Sequence, residues 1–208
     1  MNRPNAVILD FDGVTAKSKF YFTKDNLYPD IQEFVQKNIF NGPEKYGDMW
    51  MRSELTYKDI NKMIAKATNH SEQEVYNLLI TSIKGFFINP VIIKFADVLK
   101  NAEIPYALVT SNMDIFNNFS VNYFHLDKHF PLIFNSADYK MLKRDYNGKL
   151  YDIAINAMEL NSYSNVLLID DSEKCCGLVE SKGGMAYQYI NDKGFIEWVK
   201  ENLSIDLT

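Results

Sequence analysis

Ala6-Val7-Ile8-Leu9 is an unbroken apolar run that stops at Asp10. A short run with no polar alternation predicts a strand covered on both faces, as in a parallel sheet. Tyr106-Ala107-Leu108-Val109 stops in the same way at Thr110, and Val166-Leu167-Leu168-Ile169 at Asp170. The shorter Leu132-Ile133-Phe134 reaches Asn135, and Met185 to Ile190 is a less apolar candidate for a further strand. Between these runs the apolar positions recur at helical spacing. Ile92, Phe95, Ala96 and Leu99 share one face behind Asn89, a suitable N-cap, and Pro90, which suits a first turn. Tyr151, Ala154, Ile155 and Met158 repeat the pattern. Ser172 is placed to cap a helix through Cys175 and Val179, and Phe195, Trp198 and Val199 mark the last one. Alternating strands and helices predict an α/β fold with a doubly wound parallel sheet.

Residues 15–81 break the alternation. They hold no convincing buried strand but several amphipathic helices, among them one near Ile31 to Ile39. A turn at Asn41-Gly42-Pro43 separates that helix from a stripe of Ile60, Met63, Ile64 and Ala67. Ser71 to Glu74 forms a capping box that opens a further helix, with Val75, Leu78, Leu79 and Ile83 inward. The pattern predicts a helical insertion at 15–81 in a sheet-based domain made of residues 1–14 and 82–208.

Composition narrows the partners. The 208 residues are 47% hydrophobic, enough for a sizeable core. The net charge is −5 with scattered Lys and Arg, which argues against a nucleic-acid or anionic membrane surface as the main partner. Any anionic ligand must then be caught locally. Cys175 and Cys176 are adjacent, and neighbouring residues rarely reach disulfide geometry. Both are expected to be reduced, with Cys175 buried, in a cytoplasmic protein. The first residues lack the apolar stretch of a signal peptide, and Lys84, Asn89, Pro90, Lys94 and Asp97 interrupt the most apolar region. No membrane span is expected.

Ligands of open parallel sheets bind beyond the carboxyl ends of the strands. Three predicted strands deliver polar groups there: Asp10 with Asp12, Thr110 with Ser111 and Asn112, and Asp170 with Asp171. A lone D-x-D after a strand is often a turn with capping aspartates, and the pair Asp170-Asp171 says little by itself. Together, at the ends of separate buried strands, they describe a site. Carboxylates crowded on one rim repel unless a cation joins them, and hard oxygen donors without a His–Cys cluster suit Mg2+ better than zinc.

AVILDFDGV resembles the first motif (D-x-D-G-T/V) of the haloacid dehalogenase-like (HAD) superfamily, YALVTSN its second and VLLIDDS its fourth. The resemblance spans nearly the whole chain and implies a Rossmann-like core with residues 15–81 as a mobile C1-type helical cap. Glu54 to Asn112 also resembles the subfamily of small phosphosugar phosphatases. It implies that Asp10 attacks phosphorus to form an aspartyl-phosphate. Asp12 would protonate the leaving oxygen and later activate water. Mg2+ would be bound by Asp10, Asp170 and the Asp12 carbonyl, with Asp171 a second ligand or an orienting group. Thr110, aided by the N–H groups of Ser111 and Asn112, would hold the phosphoryl oxygens.

The family's third motif supplies a lysine, often followed by proline. Here SADYKMLKRDYNGKLYDIA offers Lys140, Lys143, Arg144 and Lys149, none followed by proline. Lys143 best fits the distance from Asp138, with Lys149 the alternative. The expected reaction is hydrolysis of a small phosphorylated metabolite. A phosphosugar mutase shares the motifs, but related mutases carry an early cap histidine and none precedes His70. A non-catalytic binding protein of the same fold would be expected to have lost at least one of Asp10, Asp12, Thr110 and Asp170. His70, His125 and His129 lie outside the motifs. Phe20, Tyr21, Phe22, Tyr28, Trp50 and Met51 either pack cap on core or touch the substrate.

Overall fold

The computed structural model describes residues 3–17 and 19–207. Five parallel strands form the main sheet: β1 (Ala6–Leu9), β4 (Tyr106–Thr110), β5 (Ile133–Asn135), β6 (Val166–Asp170) and β7 (Met185–Gln188), in the order β5-β4-β1-β6-β7. All five match apolar runs in the sequence, including the least apolar one. β1 lies at the centre, with Leu9 opposite Leu108 of β4 and Ile169 of β6. The strand order reverses direction around β1, so its carboxyl end lies at the switch point where α/β sheets bind ligands.

Both faces of β1 are covered, which is why its sequence is unbroken. Val7 and Leu9 enter a cluster with Phe95, Leu99 and Phe195, whereas Ala6 and Ile8 enter one with Tyr151, Ala154, Ile155 and Val179. The first face is covered by α5 (Pro90–Asn101) and α11 (Asp192–Leu203), the second by α9 (Lys149–Ala157) and α10 (Glu173–Ser181). The cap residues are those read from the sequence. Asn89 accepts from the Val91 N–H at 3.0 Å ahead of Pro90, and Ser172 caps α10 by accepting from Cys175.

A two-residue strand, β2 (Ala16–Lys17), pairs antiparallel with β3 (Phe87–Ile88) and brackets the helical stretch. Within that bracket lie α1 (Pro29–Phe34), continuing as a π-helix over Val35–Phe40, then α2 (Tyr46–Met51), α3 (Tyr57–Thr68) and α4 (Glu72–Lys84). The helix predicted near Ile31 to Ile39 is thus α-helical only in its first half. The capping box at Ser71 and Glu74 is present, and an equivalent box at Thr56 and Asp59 opens α3. Ile31, Trp50, Ile60, Ile64, Leu78 and Leu79 join the same apolar cluster as Val7 and Leu9. Tyr21 is fully buried, its hydroxyl donating to Asn61 Oδ1 at 2.6 Å and its N–H to Ser82 Oγ at 2.9 Å.

After β4 the chain makes a π-helical turn (Phe116–Ser120) running into α6 (Val121–Tyr123), then α7 (Leu126–His129). The short helix α8 (Ser136–Tyr139) follows β5, and a 3-10 turn (Asp145–Asn147) precedes α9. Among the described residues no helix is long and apolar enough to cross a membrane.

Candidate active site

β1 ends at Leu9 and the chain turns at once. Asp10 donates its N–H to Ile169 O, and its carbonyl accepts from the Thr15 hydroxyl at 2.6 Å. That bond closes the loop 10–15, and Gly13 at φ +83° lets the chain reverse. One Asp10 carboxylate oxygen accepts from the Phe11 N–H at 2.8 Å and the other lies 2.7 Å from Lys143 Nζ. The same ammonium lies 2.7 Å from Asp170 Oδ2, at the end of the neighbouring strand β6. Lys143 therefore bridges the two strand-end aspartates. Lys149 instead begins α9 and is exposed.

All three charges are buried, with Asp170 at 0%, Asp10 at 4% and Lys143 at 6% exposure. Burial pushes the Asp10 carboxyl well above its usual range, Lys143 pulls it back, and the Asp170 and Asp12 charges add to the push. For Lys143, burial disfavours the ammonium, but Asp10 and Asp170 outweigh it and hold the group above the ordinary lysine range. Burial, followed by Asp170, also raises Asp171. Oxygens of Asp10, Asp170 and Asp171 lie within 4.8 Å of one another. With Asp12 close by, four carboxylates face one buried ammonium. Such a cluster fits a further cation with hard oxygen ligands.

The rest of the predicted set meets around this pair. A cavity of about 360 Å³ is bordered by Asp10, Asp12, Thr110, Ser111, Lys143 and Asp171, together with Asp48, Arg144 and Cys175. Thr110 is 1% exposed, and its hydroxyl has no hydrogen-bond partner among the described residues. A buried polar atom without a partner beside a cavity is a natural contact for a ligand.

Asn112 departs from expectation. Its N–H, expected to face a phosphoryl group, already donates to Ser136 Oγ at 2.9 Å and approaches Asn135 Oδ1 at 3.2 Å. Its side-chain amide donates to Asp12 Oδ2 at 2.8 Å. Asn112 thus holds Asp12, and its N–H is already engaged at the end of β5. Ser111 serves the lysine, since its Oγ accepts the Lys143 N–H at 3.0 Å.

Several participants were missed from sequence. Ser136 follows the carboxyl end of β5, so the strand-end rule applied to the first three sites would have found it. Its hydroxyl lies 2.7 Å from Met51 O and 2.9 Å from Asn112 O. The Tyr151 hydroxyl, read only as part of an apolar helix face, donates to Asp170 Oδ2 at 3.3 Å. Asp114 accepts from the Trp50 indole at 2.7 Å and from the Tyr57 N–H at 3.2 Å, tying the helical stretch to the rim. Phe20 and Tyr21 are packed inside, whereas Phe22 is exposed beside a second cavity of about 690 Å³. That chamber shares Asp12, Met51 and Ser111 with the first.

Comparison with known structures identifies the fold that carries this arrangement. A predicted HAD-like family hydrolase from Porphyromonas gingivalis superposes with a TM-score of 0.70 at 15% identity, over 97% of this chain and 98% of that one. The chain has the HAD hydrolase fold. An HAD-family enzyme from Bacteroides thetaiotaomicron, solved with magnesium and inorganic phosphate, matches with a TM-score of 0.65 at 16% identity, over 89% of this chain and 93% of that one. L-2-haloacid dehalogenase from Xanthobacter autotrophicus, carrying covalently bound chloropropionic acid, matches at 0.62 and 11% identity over 98% and 85% of the two chains. No protein-family model and no curated protein matches the sequence. The likeness to HAD proteins is therefore one of fold.

Proposed function

We propose that the chain is a Mg2+-dependent phosphatase of the HAD superfamily that hydrolyses a small phosphomonoester through Asp10. The observation that carries this reading is the Lys143 bridge between Asp10 and Asp170 beside a cavity bordered by Asp12 and Thr110. Lys143 and the backbone N–H of Phe11 hold the Asp10 carboxylate toward the rim. Asp10 attacks phosphorus while the Thr110 hydroxyl donates to a phosphoryl oxygen. Asp12, aimed by Asn112, gives a proton to the departing alcohol oxygen. It then takes one from the water that attacks the aspartyl-phosphate, releasing phosphate and restoring Asp10. Asp10, Asp170 and Asp171 would hold Mg2+, which when bound stabilises negative charge on the phosphoryl group.

Asp12 separates this reading from the dehalogenase of the same fold, because a departing halide needs no proton. The Bacteroides structure with magnesium and phosphate supports the same ligand pair for this site. The helical residues 15–81 serve as a cap over a core of 1–14 and 82–208. Their 690 Å³ chamber, bordered by Phe20, Phe22, Gln32, Gln36 and Phe40, accommodates the alcohol portion of a sugar phosphate or a metabolite of similar size. The alternative, a phosphosugar mutase, calls for an early cap histidine. The first histidine, His70, instead lies 2.8 Å from Asp30, among the helices. Two free, buried cysteines agree with a reducing, cytoplasmic setting.

The test is phosphate release from a generic aryl phosphate with Mg2+. Chelation and Asp10→Asn are each expected to abolish it. Asp12→Asn should slow turnover by roughly 10²- to 10⁴-fold while Mg2+ binding persists. Activity that survives Asp10→Asn would overturn the assignment.

A further inference from the structure

Arg52, the C-cap residue that follows α2, makes a planar fork with Asp145 across the boundary between the helical stretch and the sheet-based part. Nε lies 2.7 Å from Asp145 Oδ2, and Nη2 lies 3.0 Å from Oδ1. Asp145 Oδ2 also accepts the Leu142 N–H at 2.9 Å, and the Asp145 N–H returns to Leu142 O at 3.0 Å. These bonds close a turn around the two residues between them, Lys143 and Arg144. The lysine's own N–H is fixed on Ser111 Oγ. We propose that Arg52 is a positioning residue. Through Asp145, it fixes the turn that holds Lys143 on Asp10 and Asp170, so that docking of the helical stretch completes the catalytic charge arrangement. The proposal rests on the phosphatase reading for its kinetic consequence, though not for its structural one.

An ordinary surface ion pair would not justify this role, because such pairs contribute little to stability. Three features set this one apart. Both side chains are only about a quarter exposed. The two-bond fork fixes direction as well as distance, which a lysine cannot reproduce. One carboxylate oxygen also serves both the guanidinium and the Leu142 amide, so moving Arg52 disturbs the lysine turn directly. The preceding residue reinforces the docking, as Met51 O lies 2.7 Å from the Ser136 hydroxyl that accepts the Asn112 N–H. Residues 51 and 52 thereby touch the supports of both Lys143 and Asp12.

The experiment compares the full chain with Arg52→Gln, Arg52→Lys, Asp145→Asn, Lys143→Met and the double variant Arg52→Gln/Lys143→Met. Hydrolysis of an aryl phosphate is measured at saturating Mg2+, and amide hydrogen exchange is followed over 140–145. Arg52→Gln should lower kcat about ten- to a hundredfold, the loss expected from roughly 1 Å of misplacement, with KM little changed. Arg52→Lys should recover little of that loss, and Asp145→Asn should behave like Arg52→Gln. In the Lys143→Met background, Arg52→Gln should cause no further loss. Exchange at Leu142 and Lys143 should accelerate in both Arg52→Gln and Asp145→Asn.

A raised KM with kcat retained would mean that Arg52 touches substrate directly and would overturn the proposal. So would losses that multiply in the double variant, or unchanged exchange over 140–145. If the wild-type chain releases no phosphate, the phosphatase reading fails while the exchange measurement still decides the role of Arg52.

Discussion

Replacing Lys143 with methionine removes the ammonium that lies 2.7 Å from both Asp10 and Asp170 while keeping an unbranched chain of similar length. Both carboxylates are almost fully buried, so the loss leaves two desolvated charges without their partner. Breaking a buried pair in this way costs about 3–5 kcal/mol. For a chain of this size that corresponds to a fall in Tm of roughly 6–20 °C. The pH dependence follows from Asp10, whose folded pKa burial raises above its ordinary value. Removing Lys143 takes away a group that lowers it, so the folded pKa rises further. Between the ordinary and the raised value the native state binds more protons than the unfolded one, and stability falls as pH increases. The deficit should therefore be complete above the folded pKa of Asp10 and shrink as pH drops through it. Thermal melts of wild type and Lys143→Met in chelator, at about pH 8 and pH 5, measure this. Added Mg2+ should narrow the gap at the higher pH. An equal deficit at both pH values would show that the lysine's contribution is packing and not charge. No deficit at the higher pH would refute the charge-balance argument altogether.

Two further outcomes follow from the same rim. A Cβ on Gly13 would stand 2.3 Å from Asp171 Oδ2 in a backbone with φ +83°. Gly13→Ala should cost about 1–2 kcal/mol in backbone strain and raise the Mg2+ concentration needed for half-maximal activity; an unchanged Mg2+ requirement would separate Asp171 from the metal set. Burial pushes the Cys176 thiol up to about 12 and raises Cys175 as well, the latter against the pull of Lys143. At about pH 8 roughly one Cys176 in ten thousand is then a thiolate, so iodoacetamide should label neither cysteine until denaturant is added. Rapid labelling of the folded chain would contradict their burial.

What could be read from the sequence divides by sequence distance. Asp10, Thr110 and Asp170 each end a continuous apolar run, so the residues that bury the strand also announce where its polar end emerges. Such signals are local. The parallel order follows from alternation, and the helix caps at Asn89, Ser71 and Ser172 follow from side chains bonding within three residues. The lysine was harder because no proline marks it, and Lys143 and Lys149 differ by less than two helical turns in sequence. Tertiary geometry separates them. Lys143 sits in a turn held by Asp145 and Ser111, whereas Lys149 is an exposed residue at the start of α9. Arg52–Asp145 and Trp50–Asp114 join residues 93 and 64 positions apart, so periodicity carries no trace of them.

Asn112 shows how a residue singled out by its place after a strand can make contacts other than those expected. The expectation assigned its N–H to a phosphoryl oxygen because it follows a strand and precedes a helical turn. That turn is π-helical over Phe116–Ser120, and Ser136 and Asn135 at the end of β5 already receive the Asn112 N–H. The side chain can then reach back to Asp12. Hydrogen bonds therefore connect Asp12 to β5 through Asn112, while Lys143 connects Asp10 to β6. Each aspartate of the D-x-D pair has its own support, so the two carboxylates can be held for different tasks although one residue separates them. The buried Asp10 carboxylate, close to an ammonium, stays charged more easily than burial alone allows. The more accessible Asp12, held by a neutral amide, is suited to exchange a proton with substrate and water. The proposed division between nucleophile and proton carrier would thus rest on the unequal surroundings of Asp10 and Asp12.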